Sequence, residues 1–235
     1  MEPRSAVYEA SARLSAEQDA AVFWYSGPLS RDLVRRMHDQ STFAAKRDNC
    51  ALFLTTYGGD PDAAYILART LRRAYRRLVV YVFGHCKSAG TLACVGANEV
   101  VMGPFGELGP LDIQLCRDDS LAAQTSGLDI FQALSVISSQ AFDIFQKHFL
   151  GLIGGSGGVI TTKTAASIAT NVASNLLAPI TAQIDPLRLG EMQRALGVAL
   201  DYGARLGADE TVIRRLATEY PAHGFVIDIG EAQEL

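Results

Sequence analysis

Short apolar runs alternate with amphipathic stretches through the first half of the chain. Ala21–Tyr25 predicts a first strand, and Ser30 before Arg31-Asp32-Leu33 predicts an N-capped helix with Leu33, Val34 and Met37 on one face. Cys50–Thr56 predicts a buried strand that ends in the turn Tyr57-Gly58-Gly59-Asp60-Pro61. Pro61 suits the first turn of a helix running to about Arg77, with an apolar stripe of Ala64, Leu67, Ala68 and Leu71. Leu78–Gly84 predicts a second buried strand. Ser88–Ala97 is small and apolar all round, as a helix buried at the centre of a domain must be. Glu99–Met102 predicts a third short strand, followed by an extended segment with turns over Phe105–Gln114. Strand–helix alternation of this kind implies an α/β fold with a parallel sheet and right-handed crossovers.

The second half predicts a mostly helical region. A long helix is expected over Leu128–Leu150, then a glycine-rich loop over 151–163 containing Gly151, Gly154, Gly155, Gly157 and Gly158. Thr162 or Thr164 caps a helix over Ala165–Leu177, Asp185-Pro186 opens another to Arg205, and a short one covers Asp209–Thr218. Gly224–Asp228 predicts a last strand. Residues 1–20 are polar and expected to be loosely ordered. No internal repeat or linker interrupts the chain, so a single domain over 1–235 is expected.

The composition is that of a globular protein: 235 residues, 49% apolar and 20% charged. A net charge of −4 argues against general nucleic-acid binding, and the basic stripe Arg69–Arg77 reads as a solvated helix face or a subunit contact. Cys50, Cys86, Cys94 and Cys116 form no C-x-x-C pair, which suits free thiols in a reducing compartment. His38, His85, His148 and His223 lack metal-ligand spacing, so no metal is expected. The start has no signal-peptide core and no run of about 18 apolar residues occurs, so a cytoplasmic protein without a membrane span is expected. The absence of Gly-x-Gly-x-x-Gly removes support for a dinucleotide, and no cofactor is expected.

Two glycine-bearing turns each follow a strand, and in a parallel sheet both lie at the ligand-binding edge. The first turn, at Gly58-Gly59, leaves backbone N–H groups exposed. The second sets Ser88 at the start of the central helix. A nucleophilic serine needs this arrangement, with its oxygen on a tight turn and donors waiting for an oxyanion. A simple N-cap at Ser88 accounts for the same pattern without catalysis.

Three segments carry a resemblance: Thr55-Thr56-Tyr57-Gly58-Gly59, Gly84-His85-Cys86-Lys87-Ser88-Ala89-Gly90-Thr91-Leu92, and Glu107-Leu108-Gly109-Pro110-Leu111-Asp112. In order and spacing they resemble the core of the Clp-protease/crotonase superfamily. The nearest branch is that of the signal-peptide-peptidase-like proteins and serine dehydrogenase proteinases. Gln183-Ile184-Asp185-Pro186 and Tyr220-Pro221-Ala222-His223-Gly224-Phe225 are also similar to that branch. The resemblance covers residues 50–115 well and the remainder loosely. It implies a ββα-superhelix fold, a serine peptidase acting on peptide or unfolded protein, and a homo-oligomer. It matches Ser88 to the nucleophile and the N–H groups of Ala89 and Gly59 to the oxyanion donors, with Gly58 in the same turn. Gly109 to Asp112 match the substrate groove.

The Clp proteolytic subunit carries a histidine downstream of its serine, where this chain has Asp112-Ile113-Gln114. Membrane-associated branches use a Ser–Lys dyad instead, and a lysine base needs a dry or positively charged pocket. Lys147 on the long helix and Lys163 at the start of the next are the candidates. Lys87 adjoins the serine, but its side chain is expected to point away as a surface charge or subunit contact. His85 and His223 are further candidates, and Tyr57 sits in the first turn. Two other readings stay open. One is a crotonase-type acyl-CoA enzyme with Glu107 or Asp112 as base; the other is a catalytically silent oligomeric scaffold.

Overall fold

The computed structural model describes residues 3–43, 47–111, 114–116 and 124–235. It divides into two compact units, Met1–Ile113 with Ala195–Leu235, and Gln114–Arg194.

In the first unit, β1 (Ala20–Ser26), β2 (Asn49–Thr55), β3 (Arg77–Val82) and β5 (Glu99–Met102) form one sheet in the order β1-β2-β3-β5, parallel throughout. Between β3 and β5 lies β4 (His85–Cys86), which pairs in parallel with β6 (Glu107–Leu108) as a second small layer. The expected α/β class with a parallel sheet is the one observed. Side chains alternate across the sheet with period two. Phe23, Leu52, Leu54, Val80 and Val82 enter the main core with α2 (Arg31–Phe43), α3 (Pro61–Ala74) and α4 (Ala89–Val95), while Ala51, Val79 and Tyr81 face the other way. Ser30 receives the Leu33 N–H at 3.3 Å, and Asp60 caps α3 with Pro61 at its first position.

Three expectations are corrected here. Residues 3–18 are not loose but form α1 (Pro3–Gln18). Its alanines favour a helix, and Leu14 packs against the cluster of Ala20, Ala51, Val79 and Tyr81 on the second sheet face. Trp24 Nε1 donates to Ser11 at 3.1 Å. The segment 224–228 is not a strand: it contributes a single antiparallel bridge, Ile227 to Leu108. It is followed by α9 (Ile229–Ala232), after α8 (Glu210–Thr218).

The third correction lies in the second unit. There, β7 (Gln114–Cys116) and β8 (Gln124–Ser126) pair antiparallel, and α5 (Gly127–Gly155) packs on α6 (Thr162–Thr181). The helix continues through Gly151, Gly154 and Gly155, so the loop is only 156–161. The glycine penalty of about 1 kcal/mol per residue is outweighed by continuation of an already nucleated helix. Thr161 caps α6, which buries Ala165, Ala169 and Ala173 at four-residue spacing. Next comes α7 (Pro186–Leu206), which from Ala195 onward belongs to the first unit. No helix among the described residues is long and apolar enough to cross a membrane.

Burial on β2 pushes the Cys50 thiol up to about 12. The folded chain holds this proton where the unfolded chain has released it, so stability is full below pH 9 and is lost as pH rises toward 12. Chemical denaturation followed by the single tryptophan, Trp24, should weaken by on the order of 2 kcal/mol between pH 9 and 11. Cys50→Ala should reduce that slope, the buried Tyr75, Tyr220 and Cys86, also raised, keeping the remainder; an unchanged slope would assign it wholly to them.

Candidate active site

The edge of the sheet brings the two glycine-bearing turns side by side. Beyond β2, Thr56 N–H donates to the His85 carbonyl at 2.9 Å and Lys87 N–H donates to the Thr56 carbonyl at 2.9 Å. This pairing sets Gly58 against the serine: a Cβ at Gly58 would lie 3.0 Å from Ser88 Cβ and 3.4 Å from the Ala89 nitrogen. Buried Thr56 holds the turn from below, its Oγ1 accepting the Gly58 N–H at 3.0 Å and donating to the Gly58 carbonyl at 3.1 Å. The Leu29 N–H donates to the Gly58 carbonyl at 2.8 Å, and the Asp60 N–H to the Leu29 carbonyl at 3.0 Å.

Ser88 stands immediately before α4 with φ 50° and ψ −116°, outside the regions that side chains favour. Its side chain does not cap the helix. Among the described residues, Asp19 is the one other non-glycine with positive φ. Within them the N–H groups of Gly59 and Ala89 donate no hydrogen bond. Tyr57, 74% exposed, stacks its ring on His85 at 3.7 Å and 14°.

The expected outward Lys87 is corrected. Its side chain is 9% exposed and its Nζ lies 2.9 Å from Glu107 Oε2. It also donates to the carbonyls of Leu108 and Phe225, each at 3.1 Å. The physical reason is the β4–β6 pairing, which lays Lys87 along Gly109, where a Cβ would come within 2.7 Å of the lysine Cδ. Glu107, the carboxylate candidate of the crotonase reading, is thereby engaged by a cation. Thr91 is fully buried and was assigned no role by sequence. It donates to the carbonyls of Gly109 (2.7 Å) and Cys86 (3.1 Å), and accepts the Gly109 N–H at 3.1 Å.

The first unit therefore brings together Gly58, Gly59, Ser88 and Ala89, with Gly109 joined to them through Thr91 and Lys87. Lys147 on α5 and Lys163 on α6 belong to the second unit, where both are exposed. Asp112 lies outside the described residues. The partners of Lys87 and Thr91 could not be read from the chain, because, Glu107 aside, they are backbone groups that meet those side chains only after folding.

No protein-family model matches this chain, and no curated protein does. Solved structures are similar to it. One is a mutant of the 1510-N membrane-bound stomatin-specific protease, at 16% identity over 63% of this chain and 67% of that one, TM-score 0.41. The 1510-N membrane protease specific for a stomatin homolog from Pyrococcus horikoshii matches at 21% identity over 38% and 48%, TM-score 0.35. The ClpP protease catalytic domain from Plasmodium falciparum matches at 6% identity over 41% and 60%, TM-score 0.32. This chain spans about two thirds or less of the length of each.

Proposed function

We propose that this chain is a serine peptidase of the Clp-protease type, with Ser88 as nucleophile and the N–H groups of Gly59 and Ala89 as oxyanion donors. The observation that carries the reading is the backbone of Ser88. A serine held at φ 50°, with its side chain withheld from capping the helix it precedes, costs stability that a plain N-cap would not. The amides of Gly59 and Ala89, which donate no hydrogen bond within the described residues, give that cost a purpose. Ser88 Oγ attacks the substrate carbonyl, the developing oxyanion takes the two N–H donors, and the serine proton passes to a base. Lys147 and Lys163 are the proposed bases. The peptide or unfolded-protein substrate follows from the motif resemblance, which matches Gly109 and Asp112 to the substrate groove. Engagement of Glu107 by Lys87 weighs against the acyl-CoA reading. The half-exposed apolar side chains Leu150, Leu176 and Ile180 on the α5–α6 pair support assembly with further copies of the chain. Free buried thiols at Cys50, Cys86 and Cys94 fit a reducing compartment such as the cytoplasm.

A fluorophosphonate should form one adduct, on Ser88, that is absent in Ser88→Ala. Lys147→Ala or Lys163→Ala should slow adduct formation by roughly a hundredfold if that lysine is the base. A folded protein that takes no adduct would sink the peptidase and leave the silent scaffold.

A further inference from the structure

The turn that carries Ser88 and the helix that follows it run between a pair of thiols. Cys86 is the last residue of β4 and Cys94 lies near the end of α4, and their Sγ atoms are 3.6 Å apart. Both are free and buried. A disulfide needs about 2 Å between the sulfurs, so the pair is a short closure from bonding. The two differ in access. Cys86 is sealed in the core, whereas Cys94 lines an apolar cavity of about 210 Å³ with Val100, Met102, Leu216 and Ile229.

We propose that Cys86 and Cys94 form a peroxide-driven disulfide that switches the Ser88 site off. Peroxide enters by the cavity. The Cys94 sulfur attacks one peroxide oxygen, the O–O bond breaks, and Cys94 becomes a sulfenic acid as one water leaves. The Cys86 sulfur then attacks the Cys94 sulfur: the S–S bond forms, the S–O bond breaks, and hydroxide departs with the Cys86 proton as a second water. Two thiols are oxidised and one peroxide is reduced to two waters.

The consequence follows from position. Ser88 and Ala89 lie on the segment between the two sulfurs, so near Gly58 that a Cβ there would meet both. Drawing β4 and α4 together moves the nucleophile and one oxyanion donor relative to the far side of the Gly58-Gly59 turn, which is tied to Leu29, while its near side is paired through Thr56 to His85 and Lys87. This effect on the site rests on the peptidase reading; the disulfide itself does not.

The test uses the whole chain, treated with hydrogen peroxide, alkylated and digested with trypsin without reduction. Trypsin cuts after Lys87, so the bond joins two otherwise separate peptides, Leu78–Lys87 and Ser88–Arg117. The expected result is that linked pair, two hydrogens lighter than the sum, with fragmentation placing the bond at Cys94 and not Cys116. It should also form in Ser88→Ala, so failure of the peptidase reading leaves this arm intact. In the wild type, fluorophosphonate labelling should fall by roughly tenfold or more and return with dithiothreitol. Cys94→Ala should keep its labelling through the same treatment. Thiols at 86 and 94 that remain alkylatable, or a bond through Cys116, would overturn the pair; a bond that leaves labelling unchanged would overturn the switch.

Discussion

Gly59→Ala is expected to cost the first unit roughly 3–5 kcal/mol and to abolish fluorophosphonate labelling of Ser88. Gly59 has φ +139°, a backbone conformation open to glycine and costly for any L side chain. Space is closed as well. A Cβ there would meet the Leu29 carbonyl oxygen at 2.3 Å and the Leu29 nitrogen at 2.7 Å. Both are backbone atoms held by the Leu29–Gly58 and Asp60–Leu29 hydrogen bonds, so no rotamer change relieves the clash. Denaturation followed by Trp24 fluorescence reads the loss, because Trp24 stacks on Phe53 at 3.8 Å in the same sheet. Gly58→Ala makes an instructive contrast. It shares the positive-φ strain, at +115°, but its Cβ would press on Ser88 Cβ at 3.0 Å and not on Leu29, so it should lose stability and labelling through displacement of the serine itself. Near-wild-type stability in Gly59→Ala would mean that the turn relaxes in a way its hydrogen bonds do not suggest.

Lys87→Met should cost about 2–4 kcal/mol and slow labelling of Ser88 by at least tenfold. The substitution removes the lysine donor from the carbonyls of Phe225 and Leu108, the second of which keeps the Ile227 N–H, and leaves Glu107 without its cation. Methionine fills much of the volume, so the loss is one of polar partners and not of packing. Glu107 is 29% exposed and can recover water, which keeps the cost below that of a sealed ion pair. Glu107→Gln should cost less than half as much, since the amide oxygen still accepts from Nζ. Because Lys87 is shielded, the wild-type contribution should change little between low and moderate salt, unlike a surface pair. A cost below about 1 kcal/mol for Lys87→Met would show that water replaces the lysine, and the anchoring role would be lost.

Both substitutions act where sequence and structure part company. The α/β alternation was legible because β2 and β3 are apolar runs bounded by Gly58-Gly59 and Gly84, and because α3 carries its stripe, its Asp60 cap and Pro61. Ser88 was legible as a residue at a strand-to-helix turn. These are local signals: periodicity, caps and turn chemistry act within a few residues and survive in the sequence. The helix at residues 3–18 left no comparable signal, since its seat on Ala51, Val79 and Tyr81 comes from across the sheet. The break at Gly151–Gly155 was misjudged for the related reason that glycine content sets a cost, while the neighbouring turns decide whether the helix continues.

By itself, then, the sequence determined the strands β1, β2, β3 and β5 and the helices α2, α3 and α4, and that a serine follows the second strand-ending turn. Only the tertiary structure decided that this serine sits at φ 50° beside Gly58, that Lys87 turns inward to Glu107 and two carbonyls, and that Cys86 meets Cys94. The reason is physical. Burial of a charge and contact between thiols depend on partners 8 to 138 residues apart along the chain, and those partners meet only once the core has closed.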